Sequence, residues 1–227
     1  MLRAIIFDFN GVLSDDEHVH EEAFCRILAE ERIHLFDQEY QAHYLGRDDR
    51  DCFRMALDRA QRSTDDSVLR GLISRKSKVY LDLIQHRVRL FPGVPEFLES
   101  ASRLYPLAIA SGAWREEVEY VLRQTGIARH FAAVVTSEDV SAGKPSPEIF
   151  LTALNQIRQQ APGWDQLTPS QCLVVEDSAA GIEAALAAGM KCLAISNSHP
   201  ASTLVRAHRV EAGLKFDAPL LENWFPD

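Results

Sequence analysis

Short apolar runs that stop abruptly at polar residues punctuate this chain. Ala4-Ile5-Ile6-Phe7 halts at Asp8, and Leu107-Ala108-Ile109-Ala110, Ala133-Val134-Val135, Cys172-Leu173-Val174-Val175 and Cys192-Leu193-Ala194-Ile195 have the same character. Runs this short, with no polar alternation, predict strands buried on both faces. Helical spacing lies between them: Val118, Val121 and Leu122 ahead of Gly126; Ile149, Phe150, Ala153, Leu154 and Ile157; and Ile182, Ala185 and Leu186 ahead of Gly189. A glycine just past a periodic stretch is a stop signal for a helix. Strands alternating with helices predict right-handed crossovers and a mostly parallel sheet, an α/β fold of Rossmann-like, three-layer kind.

Residues 17–87 break that rhythm. Ala23, Phe24, Ile27 and Leu28 sit at helical spacing, as do Phe53, Ala56, Leu57 and Ala60, and a longer pattern runs from Val68 through Leu69, Leu72, Ile73, Val79, Tyr80 and Leu83 to Ile84. No strand-like run divides them. The expected organisation is a core of residues 1–16 and 88–227 with an all-helical insert at 17–87. Gln160 to Ser170, with Pro162, Gly163 and Pro169, predicts a surface loop.

Composition narrows the function classes. The 227 residues correspond to about 1.5 domains of ordinary size, which the insert accounts for. The 33 acidic residues outnumber the 24 basic ones, for a net charge of −9. That balance disfavours nucleic acid and anionic lipid as partners. A small anionic substrate stays compatible if the site supplies its own positive charge. The cysteines Cys25, Cys52, Cys172 and Cys192 form no C-x-x-C pair and predict inert packing in a reducing compartment. No apolar run approaches the length of a membrane span, about 18 residues. The expectation is a soluble cytoplasmic monomer.

The candidate chemistry lies where strands end. In an open parallel sheet, ligands bind beyond the carboxyl ends of the strands. Asp8, Ser111 and the pair Glu176-Asp177 directly follow three predicted strands, and Lys144 sits in the Gly143-Lys144-Pro145-Ser146-Pro147 turn after a fourth. An aspartate after a strand is ordinarily a helix cap, but four such groups on one rim exceed what capping requires. Carboxylates gathered together call for a cation, and oxygen ligands suit Mg²⁺. A lysine and a hydroxyl can hold the oxygens of a phosphate, which leaves Asp8 able to attack phosphorus. No G-x-G-x-x-G is present, and Gly143-Lys144 lacks the surroundings of a P-loop.

At these residues the sequence resembles the haloacid dehalogenase superfamily, specifically its β-phosphoglucomutase-like and phosphoglycolate phosphatase-like members with a helical cap. Asp8-Phe9-Asn10-Gly11-Val12, Ser111-Gly112, Gly143-Lys144-Pro145 and Val174-Val175-Glu176-Asp177-Ser178 with Gly181 appear in the family's order, over nearly the whole chain. The resemblance implies that Asp8 is a nucleophile on a small phosphorylated metabolite. It implies that Asp8, the backbone carbonyl of Asn10 and Asp177 hold Mg²⁺ with Glu176 in support, and that Ser111, Gly112 and Lys144 bind the transferred phosphoryl group. The helical insert would then be a lid that excludes water. In the cap loop Gly46-Arg47-Asp48-Asp49-Arg50, Gly46 permits a tight turn and Arg47 and Arg50 are candidates to reach a substrate's distal phosphate or carboxylate, Arg50 being slightly favoured; the competing reading is that Asp48 or Asp49 caps the next helix while the arginines stay solvated.

Position 10 departs from the pattern. The family's phosphatases and mutases usually carry an aspartate there, which protonates the leaving oxygen and then deprotonates water. An amide cannot exchange that proton, and such catalysis is worth about 10²–10⁴-fold. Asn10 is compatible with a slow phosphatase using another donor, with a substitution that traps a complex, with a phosphate binder that has lost catalysis, and with a phosphonate hydrolase. A mutase is the further alternative and needs the acid more. The phosphonate reading requires a cap lysine, but Lys76 and Lys78 are expected to face solvent. The run Asp15-Asp16-Glu17-His18-Val19-His20 could supply substitute donors; its plainer reading is a solvated linker and an acidic helix start.

Overall fold

The computed structural model describes residues 1–160 and 163–226, with the side chains of Asp37 and Gln41 also set aside. The first apolar run forms β1 (Ala4–Phe7), and the others form β2 (Leu107–Ala110), β3 (Phe131–Val135), β4 (Cys172–Glu176) and β5 (Lys191–Ile195). A sixth strand, β6 (Arg209–Glu211), lies at one edge. The order is β3-β2-β1-β4-β5-β6, and every pairing is parallel. The chain winds outward from β1 in both directions, so the switch in winding falls beside β1, where crevices open in such sheets. The expectation of a mostly parallel, Rossmann-like α/β sheet is met and extended by one strand.

Nine α-helices stand among the described residues: α1 (Glu17–Glu30), α2 (Asp37–His43), α3 (Asp49–Arg59), α4 (Asp66–Ile84), α5 (Val94–Ala101), α6 (Arg115–Thr125), α7 (Glu148–Gln160), α8 (Ala179–Ala187) and α9 (Leu220–Trp224). Opposite faces of the sheet feed two hydrophobic clusters. Ile5, Phe7, Leu107, Ile109, Leu173 and Val175 point one way, toward α5 and α6. Ala4, Ile6, Ala108, Ala110, Cys172 and Val174 point the other, toward α7 and α8. This is the alternation a pleated strand imposes when both faces are covered.

α1 to α4 follow one another with no strand between them. They share a third cluster built on Phe24, Leu28, Phe53, Leu57, Leu69 and Leu72. The bases of α1 and α4 belong to the sheet's own cluster, through Val19, Ala23, Tyr80 and Ile84. Two residues of the predicted pattern, Ala60 and Val68, are exposed, because each lies at a helix end beyond the packed stripe. Within the predicted loop 160–170, Ala161 and Pro162 lie outside the described residues, and Leu167 turns inward into the sheet cluster rather than outward. The cysteines are free, and burial pushes the Cys52 and Cys192 thiols up and that of Cys172 up to about 12. No helix among the described residues is long and apolar enough to cross a membrane.

Candidate active site

Parallel register sets the first contacts. Phe7 pairs with both Ile109 and Val175, so the next residue on each strand, Asp8, Ala110 and Glu176, emerges at a common level. Asp8 N–H donates to the Val175 carbonyl at 2.9 Å, and Ser111 N–H to the Val135 carbonyl at 3.0 Å. The side chains of Asp8, Glu176 and Asp177 converge, with one oxygen of each within 4.8 Å of the others, and all three residues are buried. Lys144 reaches in from the loop after β3. Its Nζ lies 2.5 Å from Asp8 Oδ1 and 2.6 Å from Glu176 Oε1.

Glycines make this convergence possible at two points. Gly11 has φ +78°, a region that L side chains avoid, and a Cβ there would fall 1.9 Å from Asp177 Oδ2. A Cβ on Gly181 would fall 1.7 Å from Glu176 Oε1. The Glu176 carboxylate therefore lies flat on the first turn of α8. Its Oε2 accepts from the backbone N–H of Asp177 and of Ser178, both at 2.7 Å, and from the Ser178 hydroxyl at 2.9 Å. With Oε1 on Lys144, Glu176 has both oxygens committed to protein donors and holds the lysine's Nζ beside Asp8.

Three carboxylates facing one ammonium leave excess negative charge in a site shielded from water. Burial pushes the Asp8 carboxyl up to about 7; Lys144 opposes this and Glu176 adds to it. Burial also raises Asp177, with Glu176 and Asp8 adding. Burial works against the Lys144 ammonium, but Asp8 and Glu176 outweigh it and hold its pKa above the ordinary lysine value. Carboxylates that resist ionisation together are what a hard divalent cation relieves. The donor set, all oxygen with Asp8 and Asp177 partly free, fits such an ion.

The sheet rim forms the floor of an open cavity of about 780 Å³, and its roof is α1 and the segment from Leu45 to Cys52. The structure brings Asp8, Asn10, Gly112, Lys144, Glu176 and Asp177 to one cavity, with Gly46 on the opposite wall. Ser111 is fully buried just beneath, and its hydroxyl accepts from Ala113 N–H at 3.1 Å and donates to Asn10 Oδ1 at 3.4 Å. Arg50 corrects the expectation. It is not among the cavity-lining residues and instead pairs with Asp66 on an exposed surface. Asp48 caps α3, accepting from Asp51 N–H at 2.8 Å, and this turns the Arg50 side chain outward. Arg47 reaches the cavity mouth, with its Nε on the His43 carbonyl.

The acidic run starts a helix, as its plainer reading has it, with Glu17 in the first turn of α1, but it is not a solvated linker. Asp16 is fully buried, accepting from the Tyr80 hydroxyl at 2.6 Å and from Asn10 Nδ2 at 2.9 Å. His20 stacks on Tyr80 with ring centroids 4.2 Å apart. Lys78 is exposed as expected, but Lys76 is not: at 1% exposure its Nζ lies 2.7 Å from His20 Nδ1, 2.9 Å from Asp49 Oδ2 and 3.3 Å from Glu117 Oε1. Lys76 follows Leu69, Leu72 and Ile73 and precedes Tyr80 at helical spacing, so the apolar stripe of α4 carries it inward. That stripe was the signal for it. Glu117 and Asp16 had none as clear.

Position 10 sits within this network. Burial lowers the His20 pKa well below the ordinary value, and Lys76 adds to the effect, so the ring is neutral. An ammonium has no lone pair, so Lys76 donates to Nδ1 and the ring proton resides on Nε2. Nε2 lies 3.0 Å from Asn10 Nδ2, a second donor. Exchanging the amide ends would set Asn10 Oδ1 against Asp16 instead. The amide thus suits Asp16, and an acceptor would suit His20.

Comparison with known proteins agrees with this geometry. The family model of haloacid dehalogenase-like hydrolases matches residues 5–195. A phosphorylated carbohydrates phosphatase of Thermotoga maritima is 28% identical over 192 residues, covering 84% of this chain and 83% of that protein. CbbY of Rhodobacter capsulatus is 30% identical over 197 residues, covering 84% and 83%. The crystal structure of β-phosphoglucomutase from Clostridium difficile shares the fold, with a TM-score of 0.86 at 20% identity over 99% of this chain and 97% of that one.

Proposed function

Because the chain belongs to the haloacid dehalogenase-like hydrolases, we propose that it is a Mg²⁺-dependent phosphatase of a small phosphorylated carbohydrate. The observation that carries this reading is Asp8, held on Lys144 at 2.5 Å beside Asp177 on the floor of the cavity. Relatives named as carbohydrate phosphatases support the substrate class.

Asp8 attacks phosphorus, the P–O bond to the sugar breaks, and an aspartyl phosphate forms; water then attacks phosphorus and restores Asp8. Lys144 and the Ser111-Gly112 turn hold the phosphoryl oxygens. Asp8, the Asn10 carbonyl and Asp177 would hold Mg²⁺, with Glu176 in support, and the ion supplies the positive charge that lets Asp8 ionise. Residues 17–87 act as a cap on a core of residues 1–16 and 88–227. The Lys76–Glu117 ion pair across the two, 3.3 Å long, gives closure a polar anchor as well as an apolar one.

The test is phosphate release from p-nitrophenyl phosphate and from a hexose phosphate with Mg²⁺, for this chain and for Asp8→Ala and Asn10→Asp. Turnover that needs Asp8 and Mg²⁺ is expected, with a gain in Asn10→Asp of up to about 10²–10⁴-fold. A rate that Asp8→Ala leaves unchanged overturns the mechanism.

A further inference from the structure

With an amide at position 10, the sugar alkoxide still needs a proton as the P–O bond breaks. A group that supplies it must line the cavity, must exchange a proton, and must not be committed elsewhere. Among the described residues, Asp8 is the nucleophile and Asp177 faces the cation site, while Glu176 and Lys144 are bound to each other. Lys76 is locked between Asp49, His20 and Glu117, which removes Asp49 as well. His20 has Lys76 on one ring nitrogen and Asn10 at the other. Asp48 caps α3. Asp16 is fully buried, off the cavity wall, with one oxygen on Tyr80 and the other on Asn10.

Glu17 is left. It is the first residue of α1 and lines the same cavity as Asp8, from the wall formed by the helical insert. Its Oε1 accepts from the Tyr40 hydroxyl at 2.8 Å. We propose that Glu17 is the general acid and base that replaces the missing aspartate. As the ester P–O bond breaks, the Glu17 carboxyl O–H passes its proton to the leaving oxygen. Glu17 then takes a proton from the water that attacks the aspartyl phosphate, the P–O bond to Asp8 breaks, and phosphate leaves with Glu17 protonated again. This rests on the phosphatase reading above.

The charges around Glu17 fit an acid that holds its proton near neutrality. Burial pushes it up to about 7; Tyr40 and Lys76 pull it down, and Asp16 and Asp49 push it up. Asp177, across the cavity, is also close enough for the two carboxylates to repel. Such a value is well placed for proton transfer in both directions.

The experiment compares a sugar phosphate, whose alkoxide must be protonated, with p-nitrophenyl phosphate, whose phenolate leaves unaided. Both are assayed with Mg²⁺ from about pH 5 to 9 across the pKa of the proposed acid. In Glu17→Gln, kcat/KM on the sugar phosphate is expected to fall about 10²-fold and on p-nitrophenyl phosphate by less than about tenfold, while kcat, which includes hydrolysis of the shared aspartyl phosphate, falls on both. The decline of kcat/KM above about pH 7 should disappear with Glu17. Asp8 must ionise to attack, so its limb rises with pH and stays separable. Tyr40→Phe, which removes the bond that lowers Glu17, should carry the decline to higher pH. In an Asn10→Asp background the Glu17→Gln penalty should shrink at least tenfold.

An equal penalty in kcat/KM on both substrates with kcat unchanged, persisting beside Asn10→Asp, would make Glu17 a substrate-binding residue and overturn the proposal. So would a parent chain that turns over p-nitrophenyl phosphate through Asp8 but releases no phosphate from the sugar ester. Asp8-independent turnover instead defeats the phosphatase mechanism itself, so the two failures are distinct.

Discussion

Asp8 is costly to the fold, and that cost can be measured. In the metal-free protein its proton affinity rises from the ordinary 3.8 to about 7, chiefly through burial. A carboxyl raised in this way costs nothing below about pH 4, where it is protonated whether folded or unfolded. The cost grows as the pH climbs through the interval and is complete above about 7. At about 1.4 kcal/mol for each tenfold change in proton affinity, the full interval is worth about 4 kcal/mol. Asp8→Asn removes the charge and keeps the shape, but Lys144 then retains Glu176 alone, so about half of that should be recovered, about 2 kcal/mol.

For a chain of this size, about 2 kcal/mol corresponds to a rise in Tm of about 4–8 °C. Calorimetry of both proteins in EDTA, at steps from about pH 4 to 8.5 spanning the titration, should show the gain of Asp8→Asn only on the alkaline side. Mg²⁺ should narrow the difference, because the parent gains binding energy that the variant largely lacks. A variant less stable than the parent at high pH, or a gain of the same size at every pH, would refute the account of Asp8 as a carboxylate held against its own solvation.

Two further outcomes follow from close packing and from the buried lysine. Gly181→Ala ought to stabilise a helix by about 1 kcal/mol on propensity alone, yet its Cβ would fall 1.7 Å from Glu176 Oε1. Urea unfolding should therefore show a loss of about 1–3 kcal/mol, with phosphatase activity lowered as Glu176 stops aiming Lys144; a stabilised, fully active variant would contradict the packing. Lys76→Met strands Asp49 and Glu117, at a cost of about 3–5 kcal/mol at pH 8. Burial already pushes Glu117 up to about 7, so it can protonate at pH 5 and the penalty should shrink there; the opposite pH trend would show that Glu117 is not the stranded partner.

The sheet and its rim were legible because their signals are local. Strands buried on both faces are written as uninterrupted apolar runs, and an abrupt polar stop marks the carboxyl end, as at Phe7-Asp8 and Val175-Glu176. β6 escaped because Arg-Val-Glu at an edge carries no such run, and its three residues are only half buried. The cap's helices were legible by period, but Arg50 was not placed, since its direction depends on Asp48 capping α3 and on Asp66 at the start of α4.

The polar network around position 10 was illegible for a different reason: it joins α1, α3, α4 and α6, and no spacing along the chain encodes a meeting of four elements. Asp16 looked like part of a solvated acidic run, yet it is fully buried and takes the Asn10 amide at 2.9 Å. A carboxylate at position 10 would set two like charges at that distance, where both cannot ionise. The amide removes that repulsion and faces His20 less well, so the exchange is local and nearly balanced in hydrogen bonds. What it does not balance is proton transfer, which must then come from a carboxyl on the cavity wall. Glu17 has that place because its helix starts one residue after Asp16, so the residue that accommodates Asn10 and the residue that would relieve it are neighbours in the chain.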